Sequence, residues 1–254
     1  MLSTITFKGV TYSTDLSKPI DISIPLRCGE ENVNAWHSPP VKIEPVRMGD
    51  WVGDVNMGGS VNFRNIFFNP HGNGTHTECV GHISKENYTI NKCLTKFFFM
   101  AELITISPDI MTNGDKHITK NHIENCLGNK LPEALIIRTI DNSPLKINKQ
   151  YSNTNPPYLD YEAAEFIGAI GINHLLIDLP SIDKERDDGK LLAHHAFWQY
   201  PNNTKQGRTI TELIYVHNNI MDGAYLLNIQ IASFENDASP SKPVLYNLKG
   251  ISSF

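Results

Sequence analysis

The sequence predicts an α/β fold, because a strand–helix–strand run lies between residues 131 and 180 and apolar, β-prone segments flank it on both sides. The first 60 residues are rich in turn formers and short apolar runs such as DISIPL (21–26). They read as strands joined by loops, with Pro39-Pro40 and Gly58-Gly59 as punctuation. Residues 95–106 are dense in Phe and Ile, which predicts a buried strand. TKNHIENCLG (119–128) has a Thr start and a Gly stop and predicts a short helix. The apolar run LPEALIIRT (131–139) predicts a buried strand. DYEAAEFIGAI (160–170) predicts a helix with Asp160 as N-cap and Gly171 at the left-handed C-terminal position. HLLIDLP (174–180) and AYLLNIQIASF (224–234) complete the predicted strands. No linker separates two cores, so residues 1–254 are expected to form a single domain.

A chain of 254 residues can bury a core without disulfides or a structural metal. Its net charge of −5 is spread without acidic or basic blocks, which argues against nucleic acid as a partner. Cys28, Cys79, Cys93 and Cys126 contain no C-x-x-C pair and read as reduced thiols of a cytoplasmic protein. The opening MLSTITFKGV lacks the pattern of a signal peptide, and FFFMAELITI (97–106) is too short to span a bilayer, so no membrane partner is expected. The N-x-T sequons at Asn73, Asn87 and Asn202 read as chance matches in a protein that is not exported.

The chemistry concentrates in NPHGNGTHTECVGHI (69–83), where His71, His76, Glu78 and His82 fall within twelve residues. Imidazole with carboxylate is a common ligand set for Zn, Mn and Fe ions. His76 and Glu78 are two apart, so an extended backbone projects both to one face. His82 can reach the same centre after a turn that Gly81 eases, and Gly72 and Gly74 permit the loop that returns His71 beside His76. Cys79, inside this segment, reads as a buried, unreactive thiol, and no G-x-S-x-G supports serine catalysis.

This segment resembles the H-x-G-T-H-x-D-x-P-x-H motif of the cyclase family, which includes bacterial kynurenine formamidase and isatin hydrolase. Gly74-Thr75-His76 matches directly, Glu78 stands at the family's Asp and His82 at its last His. The resemblance extends to DLSKPIDISIPL (15–26), IIRT (136–139), YLDYEAAEFIGAIGINHLLIDLPSID (158–183) and DASPSKPVL (237–245). Three departures stand out: His71 and His76 are five apart rather than four, Glu78 replaces Asp, and Val80 replaces Pro.

The resemblance implies a swivelling β/β/α fold with a β-barrel-like core flanked by helices, and a homo-oligomer, dimer or tetramer. It implies one or two divalent metals, Zn first and Mn or Fe as alternatives, held by His71, His76, Glu78, His194 after Ala193, and Glu212 beyond an insertion within 197–208. If two metals bind, Glu78 and Glu212 are the carboxylates able to bridge them. His195 is set aside as a packed or exposed neighbour. The implied reaction is hydrolysis of a C–N bond in a small-molecule amide of the arylformamide class by metal-bound hydroxide, with His82 as general acid/base. A cyclic amide of the isatin type and a non-catalytic binding protein on the same fold are the alternatives. Asp178, Ser181 and Asp183 read as structural. Phe197, Trp198 and Tyr200 read either as an aromatic lid or as an ordinary packed loop.

Overall fold

A computed structural model describes residues 1–250. Seven strands form its centre, numbered in chain order: β1 (His76–Glu78), β2 (Phe98–Ile106), β3 (Ala134–Thr139), β4 (His174–Ile177), β5 (Thr209–Glu212), β6 (Gly223–Ile231) and β7 (Ala238–Asn247). They pair in the order β6-β2-β3-β4-β5-β1-β7, and an antiparallel β6–β7 pairing closes the sheet into a barrel. β2 through β5 run parallel, and β1 is antiparallel to both of its neighbours. Closure leaves no free edge among these seven strands. The N-terminal hairpin Leu2–Phe7 with Val10–Asp15 and the ribbon Lys42–Pro45 with Arg64–Phe67 lie outside the barrel strands.

Strand alternation sorts the apolar side chains into two cores. Leu103, Ile136, Leu176, Leu227 and Leu245 pack on one side of the sheet. Ile104, Leu135, Ile137, Leu175 and Ile210 pack on the other, beneath three helices: α1 (Lys120–Leu127), α2 (Tyr161–Ala169) and α3 (Leu192–Trp198). The helix expected over 119–128 is α1, whose capping box joins Thr119 and His122. Asp160 is the N-cap residue of α2, but its carboxylate holds His117 instead of a helix N–H. Gly171 has a φ of 90°, in the left-handed region expected there.

Two readings of the sequence are revised. Of DISIPL only the first residue belongs to a strand, Ile20–Asp21, and Ser23 adds one isolated bridge to Ile214. Phe197 and Trp198, read as either a lid or a packed loop, are helix and core. Phe197 and Trp198 are fully buried in α3, and Trp198 Nε1 donates to the Arg208 carbonyl at 3.0 Å. Tyr200 packs partly buried against the same core. Replacing Trp198 with Ala should therefore destabilise the fold by about 3–5 kcal/mol in urea denaturation. A raised KM with unchanged stability would instead restore the lid.

Candidate metal centre

The segment 69–83 folds as three short pieces. Asn69 caps the helical turn Pro70–Asn73 by accepting the His71 N–H, which fixes where His71 emerges. Gly72 is needed for close approach, because a Cβ there would lie 2.0 Å from Ser38 Oγ. β1 then carries His76 and Glu78 on one face, as their spacing predicts, and both are fully buried. A 3-10 turn, Val80–His82, brings His82 back, and Gly81 leaves room for the Tyr88 carbonyl, 2.1 Å from where its Cβ would stand.

Register supplies the remote partners. In the antiparallel β5–β1 pair, Glu212 lies opposite His76, and its Oε2 comes within 3.4 Å of His76 Nε2. Glu212 Oε1 accepts the Ile182 N–H at 2.9 Å and lies 3.7 Å from His194 Nε2. On the other side of β1, Ala238 lies opposite Glu78, so Asp237 enters the site from the start of β7. His194 comes from α3, which covers this face. His195 points away, its Nδ1 beside the Tyr200 carbonyl at 3.1 Å.

Glu78 is the common neighbour. Its Oε2 lies 3.1 Å from His71 Nδ1, 3.8 Å from His82 Nδ1 and 4.0 Å from His76 Nε2, and its Oε1 lies 3.1 Å from His194 Nε2. Three sets of donors converge closely enough to share an ion: His71, His76 and Glu78; His71, His82 and Asp237; Glu78, His82 and His194. The structure thus brings together all six residues singled out from the sequence. Glu212 stands beside these sets rather than within them.

Each of three imidazoles has one nitrogen already committed. His76 Nδ1 donates to the Gly74 carbonyl at 3.0 Å, His71 Nε2 faces Asp237 Oδ2 at 2.8 Å, and His194 Nδ1 faces Asp183 Oδ2 at 2.5 Å. The opposite nitrogen in each case is aimed at the carboxylates of Glu78 or Glu212. This is the outer-shell arrangement that fixes tautomer and ring orientation in metal-binding histidines. His76 Nε2 is buried with no hydrogen-bond partner, and Glu78 Oε2 has only the ionic contact with His71; an unmet polar atom costs about 1–3 kcal/mol. A cation between them would satisfy both, so the residues present fit a divalent metal.

The electrostatics agree in direction. Burial opposes charge on His71, but the Asp237 and Glu78 carboxylates outweigh it and raise its pKa to about 10. His194 reaches about 10 for the same reason, against burial, through Asp183 and Glu78. Burial would raise the pKa of Glu78, yet the surrounding imidazoles hold it well below the usual carboxylate range. Asp237 is likewise held low, against burial, by His71 and His82. Without metal, therefore, protons occupy nitrogens to which a cation would bind.

Asp237 and Asp183 were not assigned to the site from the sequence. Asp237 Oδ2 also lies 3.3 Å from His82 Nδ1, so one oxygen serves two imidazoles. Asp183, read as structural, accepts the backbone N–H groups of Ala193 and His194 as well as the His194 ring. Its position shortly before the Ala193-His194 pair was the only available signal, whereas Asp237 lies 166 residues from His71 and gave none.

The Cyclase family model matches residues 14–184. Kynurenine formamidase of Bacillus thuringiensis (strain Al Hakam) is 29% identical over 192 residues, covering 74% of this chain and 81% of its own. Isatin hydrolase A from Labrenzia aggregata, solved with benzyl benzoate, superposes with a TM-score of 0.65 at 14% identity, covering 90% of this chain and 93% of its own. A predicted metal-dependent hydrolase from Bacillus stearothermophilus gives a TM-score of 0.64 at 17% identity, covering 90% and 98%. At such identities the two structures speak for the fold.

Replacing Asp183 with Ala should weaken metal affinity by about 10–100-fold, read by competition with a chelating dye. Unchanged affinity would mean that His194 is not a ligand.

Proposed function

Since the chain belongs to the Cyclase family, we propose that it is a metal-dependent hydrolase of a C–N bond in a small amide, with arylformamides of the N-formylkynurenine type as its substrate class. The observation that carries this reading is the set of three anchored imidazoles, each presenting its free nitrogen to Glu78 or Glu212. His71, His76, Glu78, His194 and Glu212 would hold the metal, with Zn the first candidate for such a nitrogen-rich set. Glu78 divides its two oxygens between His71 and His194, so it would help to hold a second ion as well as a first. Formal charge supports the same count: Glu78, Glu212, Asp183 and Asp237 together carry −4, which two divalent ions balance.

A bound divalent ion supplies Lewis acidity and lowers the pKa of water from 15.7 to about 7. The chain's own residues supply proton transfer and orientation. His82 sits at the rim, its side chain 29% exposed, within reach of a substrate. With Asp237 accepting from Nδ1–H, His82 Nε2 is free to collect a proton from attacking water and return it to the leaving nitrogen. Breaking the formamide C–N bond then releases formate and an aryl amine. A cyclic amide of the isatin type would need the same bond cleaved by the same groups, and the isatin hydrolase likeness makes it the second substrate to test.

We further infer a single-domain, cytoplasmic homo-oligomer, a dimer or a tetramer. The four unpaired cysteines and the family resemblance support this inference. Among the described residues, no helix is long and apolar enough to cross a membrane.

Metal analysis of chain purified without chelator should find one or two equivalents of Zn, Mn or Fe. His76→Ala should lose metal, and unchanged stoichiometry in that variant would remove His76 from the site. His82→Ala should retain metal but slow formamide hydrolysis by about 10²-fold or more. Wild-type turnover in that variant would end its proton-transfer role.

Metal binding should also release protons. Imidazoles with a pKa of about 10 are protonated at neutral pH, so apparent affinity should rise with pH toward that value. Calorimetry in buffers of different ionisation enthalpy reads this directly, and no proton release would contradict ligation through His71 and His194.

A further inference from the structure

At the end of the barrel where β2, β4 and β5 begin lies a cavity of about 500 Å³ lined by Lys96, Lys205, Arg208, Glu133, Phe99 and His174, among others. It is separate from the donor cluster. Arg208 precedes β5 and Glu212 ends it, and four strand residues span about 13 Å. Phe99 packs with the core on the opposite side of the sheet from Ile210.

Its charge is unbalanced. Three cations face one carboxylate, and Glu133 already accepts the Met100 N–H at 2.9 Å. None of the three cations forms an ion pair among the described residues, although the chain as a whole carries −5. Arg208 is buried. Its terminal nitrogens donate to the Phe197 and Gly168 carbonyls, each at 2.6 Å in the last turns of α3 and α2, which offsets part of its charge. Its Nε has no acceptor at all. Lys205 reaches only the Asn203 amide oxygen. Concentrated positive charge in a concave, low-dielectric site focuses the field and attracts anions.

The opposite wall is aromatic. The His174 ring lies 3.8 Å from the Phe99 ring, centroid to centroid and tilted by 38°, and Thr209 Oγ1 occupies its Nδ1. Burial lowers the His174 pKa to about 3, so this ring stays neutral and adds surface rather than charge.

We propose that this cavity is a second binding site, for a small organic anion with a planar apolar body, of the aromatic carboxylate class. The carboxylate sits between Lys96 and Lys205, with the buried charge of Arg208 behind them, and the ring lies against Phe99 and His174. The site recognises its ligand through charge and an aromatic wall together, and it requires none of the residues of the donor cluster.

The test is calorimetric titration of the metal-loaded full chain with benzoate, with benzyl alcohol as a neutral partner of the same size and inorganic phosphate as an anion without a ring. Benzoate should bind, weaken as salt is raised, and bind more tightly than either control. The double variant Lys96→Glu/Lys205→Glu should lose at least about tenfold in benzoate affinity while keeping its metal content and its turnover without benzoate. His82→Ala should bind benzoate as the wild type does. Absence of benzoate binding to the wild type would overturn the proposal. So would binding that survives the double charge reversal, or binding abolished in His82→Ala, which would place it at the donor cluster. Phosphate binding as tightly as benzoate would overturn the role of the aromatic wall. Failure of the arylformamide reading would appear as absent turnover and leave these titrations unaffected.

Discussion

The arrangement rests on the burial of one carboxylate. Glu78 is fully enclosed, and an isolated carboxylate in such a place would be too costly to remain ionised. Charges of alternating sign make it tenable. Asp183 holds His194, His194 faces Glu78, Glu78 faces His71, and His71 is held by Asp237. Each member compensates the desolvation of its neighbours, so removing one leaves the next as a buried, unpaired charge. A row built this way is a poor device for stability alone, since well-packed apolar residues would serve as well. Its natural use is to hold donor atoms together against their mutual repulsion until a cation replaces the protons between them.

The fold supplies that row from four separate stretches of chain, and barrel closure is what makes them meet. β1 is only three residues long, yet it is inserted between β5 and β7, so Glu212 and Asp237 arrive on its two sides by register. A slip of one residue in either pairing would turn His76 and Glu78 to the opposite face of the sheet. Thr77 and Thr211, whose hydroxyls share a hydrogen bond at 2.8 Å on that opposite face, help to fix the register. α3 is tied to the same site by Asp183, which takes two of its first backbone N–H groups along with the His194 ring. Its other end is anchored by Trp198 and by the Arg208 guanidinium. Site and scaffold therefore share residues.

Much of this could be read from the sequence, and the exceptions have physical causes. The long apolar runs at 131–139 and 224–234 and the capped helices at 119–128 and 160–170 carry local signals, and they fold as read. The strands at 76–78 and 209–212 are too short for periodicity to register and exist because of their partners. The helix at 192–198 is bounded by Leu191 and Gln199, both in the left-handed conformation, so it lacks a Ser or Asp start and a Gly stop. The same gap explains why Phe197 and Trp198 read as either a lid or a packed loop: without the helix nothing in the sequence turns them inward. His71, His76, Glu78 and His82 were legible because the chain brings them together locally. Asp237 was not, because only the β1–β7 pairing places it there.

Two departures from the family motif, the extra residue after His71 and Glu in place of Asp, are best understood together. His71 lies in the helical turn Pro70–Asn73 that Asn69 caps, and Gly74 and Thr75 separate this turn from β1. Glu78 carries one methylene more than Asp, which extends its carboxylate from the strand. With both in place the carboxylate stands 3.1 Å from His71 on one side and 3.1 Å from His194 on the other. An Asp at position 78 would withdraw its oxygens by roughly a bond length, about 1.5 Å, and could not keep both contacts without movement of β1 or α3. The barrel register opposes the first movement, and the Asp183 bonds oppose the second. The longer side chain therefore lets Glu78 reach His71 and His194 at once.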